Sequence, residues 1–335
     1  MNIPVTPIIS GKLRRYNGIS LRRQLLDIPT TLRNIRDGLF VLVGFIQSLV
    51  LLVIWWPDVV FTKGGYVCLP VGLATRLLRI PLVIHDSDAH PGLTNRVLSR
   101  YATAILTGAP VEYYPYDPTK TEYVGIPIAE SFTPLTDAAR AKAKTALGFD
   151  PERPLIVVTG GGLGARRLND AVIDAAPRLL KVTSVLHITG TANYDDARQR
   201  APQQPDYKLL PFVSKNMNIM LGAADVVVTR AGATTILELA TLHRAAILVP
   251  NEQLTGDHQT KNAKVYSDAG AAVVLSEKAI IENPELLMKQ VVAILQDDVK
   301  REALEGAISK LARPDAAKDV ARALFDAARS KGAAR

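Results

Sequence analysis

Residues 226–263 restrict the possible folds of this chain more than any other stretch. They read as a buried strand, a sharp Arg-Ala-Gly turn, a helix that carries Glu238, a second apolar strand and a polar loop that opens a further helix. Repeated strand-turn-helix units of this kind form parallel sheets with crossover helices. Unpaired backbone N–H groups and the helix dipole meet where each strand ends, and they favour an anion there. A carboxylate one helical turn further on suits ribose hydroxyls, so the stretch predicts a pocket for a nucleotide sugar.

The composition indicates a folded protein large enough for two domains. The chain has 335 residues, of which 48% are hydrophobic and 21% charged, and this balance excludes a disordered protein. Its single cysteine, Cys68, cannot form an intrachain disulfide and fits a reducing cytoplasm. The His and Cys residues show no metal-ligand spacing in the sequence, so we expect no structural zinc.

The net charge of +8 indicates a negatively charged partner, either a nucleic acid or an anionic membrane surface. Aromatic residues are few and no basic run is interleaved with them, so we do not expect nucleic-acid binding. Basic residues near the start of the chain precede an uncharged apolar segment, residues 39–56, and this order favours the anionic membrane surface. These basic residues are Lys12, Arg14, Arg15, Arg22, Arg23, Arg33 and Arg36.

The apolar segment itself approaches the length of a transmembrane helix. Gln47 and Ser48 interrupt it, and Pro57-Asp58 leads directly into a predicted core strand. We therefore predict a helix over residues 39–56 that lies on the membrane or lines a groove. A buried core helix and a true membrane span are the alternatives.

Short apolar segments alternate with helical stretches on both sides of a Pro-rich linker. The predicted strands are 59–62, 82–85, 104–107, 123–124, 155–159, 184–189, 208–210, 225–228, 246–249 and 272–275. The alternation predicts an α/β fold with two Rossmann-like domains, residues 1–134 and 135–313, and a ligand in the cleft between them. We expect a C-terminal helix within residues 314–335 to pack back towards the first domain. Residues 1–60 contain no convincing strand-glycine-helix unit, so the first domain is expected to be incomplete.

Two glycine-containing turns in the second half follow strands and open helices. Residues 160–164 read Gly-Gly-Gly-Leu-Gly, and such glycines let a backbone approach a phosphate. This turn is neither the dinucleotide fingerprint nor a Walker A sequence. Residues 229–235 form the second turn, with Arg230 in it and Glu238 beyond it. The alternative interpretation is two tight turns without a ligand, in which Arg230 is a surface charge and Glu238 a solvated helix residue.

Polar side chains follow the next strand of the second half, at Asp257, Gln259 and Asn262. Because carboxamides both donate and accept hydrogen bonds, they suit sugar hydroxyls. His187 lies on a predicted strand, and we interpret it as a core histidine and not as a catalyst.

Two loops in the first half are candidate ligand contacts. Residues 62–66 form a third turn that can face a ligand, and residues 85–95 follow the next predicted strand. The second loop contains two His and two Asp residues, but no third set of metal ligands accompanies them. We expect it to hold an acceptor or to supply a base through Asp86, Asp88 or His90.

Five segments resemble, in the same order, the MurG-type transferases of glycosyltransferase family 28: KGGYVCLPVGLA, HDSDAHPGLTNR, VTGGGLGARRLN, TRAGATTILELA and DHQTKNA. The similarity runs from about residue 10 to residue 273. These enzymes transfer N-acetylglucosamine from UDP-GlcNAc to the lipid-linked acceptor undecaprenyl-diphospho-N-acetylmuramoyl-pentapeptide (lipid I). The resemblance implies a GT-B fold, an inverting transfer without metal or cofactor, and a peripheral enzyme on the cytoplasmic side of the cell membrane.

The resemblance also implies roles for individual residues. The donor-binding residues would be Gly161, Gly162, Gly164, Phe212, Val213, Arg230, Gly232, Ala233, Thr234, Glu238 and Gln259. Among them the glycines and the Arg230 turn would contact the diphosphate, Glu238 the ribose, the backbone near Phe212 the uracil and Gln259 the sugar. The acceptor-binding residues would be Tyr66, Asp88 and Asn95. The candidate catalytic residues, Asp86, Asp88 and His90, come from the chemistry of their loop and not from the resemblance.

Four features depart from the family pattern. Gly162 stands where the family has serine, and Ala129 stands where it often has an arginine that can stack on uracil. The family's His-Glu-Gln-Asn segment reads His-Asp-Ser-Asp at residues 85–88. This change keeps an acidic side chain in the segment but alters how far its side chains reach. The family's opening strand and GGTGGH loop, which supplies acceptor contacts and a proposed base, have no counterpart.

These departures leave other functions open. One is a donor-binding fragment or subunit that needs a partner, and another is a different UDP-sugar transferase that acts on a glycolipid. The segment HPGLTN disfavours a UDP-GlcNAc 2-epimerase.

Overall fold

The computed structural model describes residues 3–12, 27–162, 164–254, 256–283 and 285–333. The chain forms two compact units, unit 1 (Met1–Gly125 with Asp315–Arg335) and unit 2 (Ile126–Pro314). Four of the basic residues that suggest a membrane surface lie outside the described residues: Arg14, Arg15, Arg22 and Arg23.

Unit 1 is built on a parallel four-stranded sheet. Its helices and strands are α1 (Ile28–Trp55), β1 (Val60–Thr62), α2 (Cys68–Leu78), β2 (Leu82–Asp86), α3 (Leu93–Leu98), β3 (Ala104–Thr107), β4 (Thr121–Tyr123) and, from the end of the chain, α13 (Ala316–Ala333). The strand order is β1-β2-β3-β4. Val320, Ala323 and Ala327 of α13 pack with Val83 and Leu106 of the sheet. The side chains of β2 and β3 that alternate with these pack with α2 and α3, so helices cover both faces.

Helix α1 begins eleven residues before the predicted apolar segment. Asp27 caps it by accepting a hydrogen bond from the backbone N of Thr30 at 3.3 Å, and Pro29 occupies the first turn, where a missing N–H is tolerated. Trp56 ends it in a left-handed conformation with φ 42°. The cap therefore sets the start of the helix, upstream of the apolar run.

The buried stripe of α1 consists mainly of small and polar residues: Thr30, Asp37, Gly44, Ser48 and Leu52. Residues 3–12 run along this stripe, and Gly44 approaches them so closely that a Cβ there would lie 1.8 Å from the carbonyl oxygen of Ile9. The Gln47 amide donates to the carbonyl of Pro7 at 2.8 Å and accepts from the backbone N of Ile9 at 3.0 Å. The large apolar side chains of α1 consequently face outward.

Within the described residues α1 is the one helix long and apolar enough to cross a membrane. Only 17% of its most apolar 18-residue window is buried in the protein. The alternative of a buried core helix therefore does not hold, because a core helix would be mostly covered.

Unit 2 contains a parallel six-stranded sheet. Its helices and strands are α4 (Asp137–Ala146), β5 (Leu155–Thr159), α5 (Arg166–Leu179), β6 (Ser184–Ile188), α6 (Tyr194–Arg200), β7 (Tyr207–Leu210), α7 (Met217–Ala223), β8 (Val226–Thr229), α8 (Ala233–Leu242), β9 (Ala245–Leu248), α9 (His258–Asp268), β10 (Val273–Val274), α10 (Glu277–Glu282), α11 (Glu285–Leu295) and α12 (Asp298–Ser309). The strand order is β10-β9-β8-β5-β6-β7, the order of a complete Rossmann fold. Each predicted strand is present with ends shifted by at most two residues, and the predicted α/β fold class is confirmed.

Two polar residues of unit 2, one half-buried and one buried, have structural roles. The Asp225 carboxylate accepts a hydrogen bond from the backbone N of Leu155 and forms an ion pair with Lys144, each at 2.8 Å, which ties α4 to the sheet. His187 is fully buried, and its Nδ1 and Nε2 contact the Tyr207 hydroxyl at 2.7 Å and the Asn169 amide oxygen at 3.0 Å. Burial lowers the pKa of His187 to about 3, so it remains neutral. The interpretation of His187 as a core histidine is confirmed.

Candidate functional site

Two adjacent cavities open at the carboxyl ends of β5 and β8 in unit 2. The larger has a volume of about 580 Å³ and the smaller about 180 Å³, and Gly161, Gly162 and Thr235 line both. The strand order reverses between β5 and β8. This reversal is the point at which doubly wound sheets bind ligands, because the loops on either side diverge and leave a crevice.

The loop after β5 uses its glycines in two ways. Gly164 has φ +75°, and a Cβ there would lie 2.5 Å from the carbonyl oxygen of Thr189, so no larger residue fits without rearrangement. Gly161 also has a positive φ, of +76°, but neither it nor Gly162 has any atom within 4 Å of where a Cβ would be. Gly164 therefore shapes the turn, while Gly161 and Gly162 leave the cavity open to a ligand.

A side chain of α9 supports the loop after β8 by a hydrogen bond. Asn262 on α9 donates to the carbonyl of Ala231 at 3.1 Å, so this carboxamide supports the turn instead of reaching a sugar. Gly232 precedes the first turn of α8 and leaves open space where a side chain would be. Ala233 and Thr234 line neither cavity, whereas Thr235 lines both. The helix thus presents its third residue to the crevice, one position beyond the predicted Thr234.

Arg230 is buried at the wall of the larger cavity. Its Nη1 donates to the carbonyl of Val249 at 3.1 Å, and its Nη2 donates to the carboxylate of Glu277. The other oxygen of Glu277 accepts from Nη1 of Arg167 at 2.8 Å. Sequence reasoning missed Glu277 and Arg167. The available signal was their position: Glu277 follows β10 and Arg167 follows the glycine loop, both at the carboxyl edge of the sheet.

Glu238 is the ionisable group of the smaller cavity. Phe212, Val213, Ile188 and Met217 line this cavity with it, so the carboxyl group has mainly apolar surroundings. Burial raises the pKa of Glu238 to about 7. A mainly apolar cavity with a single carboxylate suits a base and its ribose.

Gln259 on α9, the predicted sugar contact, lines the larger cavity. Its side-chain oxygen accepts a hydrogen bond from the backbone N of Asn251 at 2.8 Å. That bond fixes the orientation of the carboxamide and leaves its NH₂ group as the donor for a ligand.

The loop after β2 in unit 1 contains the predicted acceptor residues. Asp86 is buried and accepts from the Asn95 amide at 2.8 Å and from the Tyr116 hydroxyl. Burial raises the pKa of Asp86 despite these hydrogen bonds. Asn95 is fully buried and also donates to the carbonyl of His85 at 3.0 Å. Asp86 and Asn95 are thus brought together inside the unit, and both brace the loop.

The neighbouring residues of this loop reach closer to the surface. Asp88 and His90 are half-buried, and the Asp88 carbonyl accepts from the Tyr114 hydroxyl at 2.9 Å. Tyr66 is exposed, and its carbonyl accepts from the Ser10 hydroxyl at 3.0 Å. Tyr114 and Tyr116, which stack with ring centroids 5.8 Å apart, support the loop and were not predicted from the sequence.

The described part of the chain contains no group of three or more His, Cys, Asp or Glu side chains that could hold a metal ion.

The domain family described as glycosyltransferase family 28 N-terminal domain matches residues 11–107, and the family 28 C-terminal domain matches residues 155–320. The chain belongs to glycosyltransferase family 28.

Curated relatives are 33–37% identical to this chain over the aligned residues. A UDP-N-acetylglucosamine–N-acetylmuramyl-(pentapeptide) pyrophosphoryl-undecaprenol N-acetylglucosamine transferase of Mycolicibacterium paratuberculosis is 37% identical over 285 residues, which cover 83% of this chain and 68% of the relative. A protein of the same name from Bacillus cereus is 33% identical over 300 residues, which cover 89% of this chain and 79% of the relative. The predicted MurG-type resemblance is confirmed.

Solved structures agree with the family 28 assignment. MurG of Acinetobacter baumannii superposes with a TM-score of 0.71 at 29% identity, over 87% of this chain and 79% of that one. A UDP-GlcNAc 2-epimerase of Neisseria meningitidis superposes with a TM-score of 0.62 at 12% identity, over 94% of each chain, a likeness of fold alone. Such neighbours confirm the predicted GT-B fold class.

Proposed function

We propose that this chain transfers N-acetylglucosamine from UDP-GlcNAc to undecaprenyl-diphospho-N-acetylmuramoyl-pentapeptide, with inversion at the anomeric carbon. The observation that carries the proposal is the pair of joined cavities at the switch point of unit 2, one apolar with a single carboxylate and one lined by glycines and arginines. The relatives named as this transferase support the choice of donor and acceptor.

The donor occupies the two cavities according to their chemistry. The uracil enters the smaller cavity against Phe212 and Val213, and Glu238 accepts hydrogen bonds from the ribose hydroxyls. The diphosphate crosses Gly161 and Gly162 into the larger cavity, where backbone N–H groups and the N-termini of α5 and α8 stabilise its charge. Gln259 donates to the sugar.

Transfer follows from this placement. The acceptor hydroxyl attacks C1 of the sugar while the bond from C1 to the diphosphate oxygen breaks, and UDP leaves with the electron pair. Arg230 and the helix N-termini stabilise the negative charge that develops on the leaving group. Asp88 or His90 takes the proton of the attacking hydroxyl, since both reach closer to the surface than the buried Asp86.

Association with the cytoplasmic side of the cell membrane belongs to the same proposal. Large apolar side chains on α1 are exposed: Ile46 and Val53 are each 55% exposed and Ile54 is 69% exposed. Arg33 and Arg36 near the start of the helix are exposed, and Arg36 also pairs with Asp37 at 2.9 Å. An apolar face with basic residues at one end is the pattern of a helix that binds an anionic lipid surface.

Transfer of radiolabelled N-acetylglucosamine from UDP-GlcNAc to a lipid I analogue tests the proposal. We expect a radiolabelled lipid product and release of UDP. Donor binding without transfer would instead indicate a donor-binding fragment or subunit. Transfer to other glycolipids but not to the lipid I analogue would indicate a different UDP-sugar transferase.

A further inference from the structure

The larger cavity contains a carboxylate in the space proposed for a diphosphate. Glu277 is the first residue of α10, and the Ser276 hydroxyl caps this helix by accepting from the backbone N of Ala279. The Glu277 side chain is only 6% exposed, and it lines the same cavity as Gly161 and Gly162. A buried negative charge beside an anion site is costly unless cations pair with it.

The two cations that pair with Glu277 are the arginines of the cavity wall. Arg230 donates to one carboxylate oxygen and Arg167 donates to the other at 2.8 Å. Burial by itself would raise the pKa of Glu277, but the hydrogen bonds and charges of the two arginines outweigh it, and the pKa is lower than its ordinary value. The carboxylate is therefore ionised at neutral pH and pairs with both guanidinium groups.

The two arginines differ in their freedom to change partner. The Arg230 side chain is 9% exposed, and a second hydrogen bond, to the carbonyl of Val249, fixes it. The Arg167 side chain is 48% exposed and lies at the first turn of α5, directly after the glycine loop. Its second partner, the side-chain oxygen of Gln253 at 3.0 Å, belongs to an exposed residue and holds it less firmly than a backbone carbonyl in the protein interior would. Arg167 can thus turn from the carboxylate to a phosphate oxygen, while Arg230 can pair with a phosphate only from its fixed position at the cavity wall.

We propose that Glu277 is an internal anion that competes with the donor's diphosphate for Arg167 and Arg230, and so limits how tightly the site holds UDP. This inference rests on the donor site proposed above. When the diphosphate binds, it takes over hydrogen bonds from the arginines and meets the like charge of Glu277 nearby. When UDP leaves, the carboxylate pairs with both arginines again, so release does not uncover two unpaired cations.

A purely structural role for Glu277 predicts the opposite change in UDP affinity when its charge is removed. If the carboxylate only held Arg230 in place for the phosphate, removing its charge would loosen the arginine and weaken UDP binding. Competition predicts that removing the charge strengthens UDP binding. The two interpretations are therefore separable by one substitution and one pair of ligands.

Calorimetric titration of Glu277→Gln with UDP and with uridine makes this test. We expect UDP to bind about tenfold tighter than to the wild type, a difference of about 1.4 kcal/mol. Uridine, which lacks the diphosphate, should bind with unchanged affinity. Glu282→Gln is the matched control, because it removes the same charge from the same helix at a side chain that is 65% exposed. This control should leave both affinities unchanged.

Weaker or equal UDP binding by Glu277→Gln, with uridine binding retained, would overturn the inference and leave the donor site intact. Failure of the wild type to bind either ligand would instead overturn the proposed function. If thermal denaturation shows that Glu277→Gln does not fold, Glu277→Asp replaces it. The shorter carboxylate pairs less well with both arginines, so competition predicts tighter UDP binding, and a positioning role predicts weaker binding.

Discussion

At the scale of single residues, Glu238 is the side chain whose chemistry matters most to the proposed donor site. Its carboxyl group lies among apolar side chains in the smaller cavity, and burial alone accounts for a pKa of about 7. A carboxyl group in apolar surroundings destabilises the folded protein when it is ionised. The same ionised group is a strong acceptor for a ligand that donates hydrogen bonds. This combination is common at functional sites.

The raised pKa of Glu238 predicts a pH dependence of stability. The pKa is 4.5 in the unfolded chain and about 7 in the folded protein. Stability from this group is therefore fully present below pH 4.5 and is lost as the pH rises through 7. The loss amounts to about 2–3 kcal/mol after allowing for partial solvation. Urea denaturation at pH 5 and pH 8 should show that Glu238→Gln loses less stability over this interval than the wild type. An identical loss in both proteins would contradict the assignment.

Glu238 also predicts an effect on the donor. Glu238→Ala should weaken UDP-GlcNAc binding by about a hundredfold or more, because two hydrogen bonds to a charged acceptor are lost at about 1.5–3 kcal/mol each. Calorimetry measures the affinity, with Glu302→Ala as a control at an exposed glutamate of α12. Unchanged affinity in Glu238→Ala would refute the ribose contact.

At the scale of elements, the loops after β5 and β8 carry most of the proposed site. The sequence predicts both loops because a glycine run and an Arg-Ala-Gly turn directly follow apolar strands. The sequence does not show which glycines the turn requires and which leave space for a ligand. Gly164 is required by a positive φ and a close carbonyl, whereas Gly162 has open space beside it.

This difference predicts opposite outcomes for two substitutions in one loop. Gly162→Ser places a hydroxyl in the cavity without a clash and should strengthen UDP binding several-fold, the size of one hydrogen bond of about 1 kcal/mol. Gly164→Ala forces a Cβ against the Thr189 carbonyl in a left-handed conformation and should destabilise the fold by about 1–3 kcal/mol. Calorimetry and thermal denaturation of both variants make the comparison. Equal effects of the two substitutions would count against the division of roles.

The start of helix α1 could not be predicted from the apolar pattern of the sequence. The apolar run predicts a helix from residue 39, but the helix begins at Ile28 because Asp27 caps it and Pro29 fits its first turn. The same pattern does not reveal which face is covered. Residues 3–12 occupy the stripe of small and polar side chains, and that contact leaves the apolar face outward.

At the scale of the whole molecule, the net charge of +8 and the exposed apolar face of α1 support one proposal, binding to an anionic membrane. Ile46→Asp and Val53→Asp, one at a time, should weaken binding to phosphatidylglycerol-containing vesicles by about tenfold or more. Each removes an apolar side chain whose burial contributes about 1.5–3 kcal/mol. Co-sedimentation with vesicles measures the effect.

Val299→Asp is the control for this experiment, because Val299 is 79% exposed on α12 of unit 2. It should bind the vesicles as the wild type does. Wild-type binding by both α1 variants would contradict the role of this helix.

The sequence by itself determines the strands and the glycine turns and predicts the kind of ligand, because each rests on a few consecutive residues. An apolar run followed by glycine and a helix start predicts a turn at which backbone N–H groups can meet an anion. The tertiary structure alone decides which side chains meet in the crevice. Arg230 and Glu277 are 47 residues apart and come together because β9 and β10 extend the parallel sheet beyond β8. Their pairing depends on the order and register of strands, which no local pattern contains.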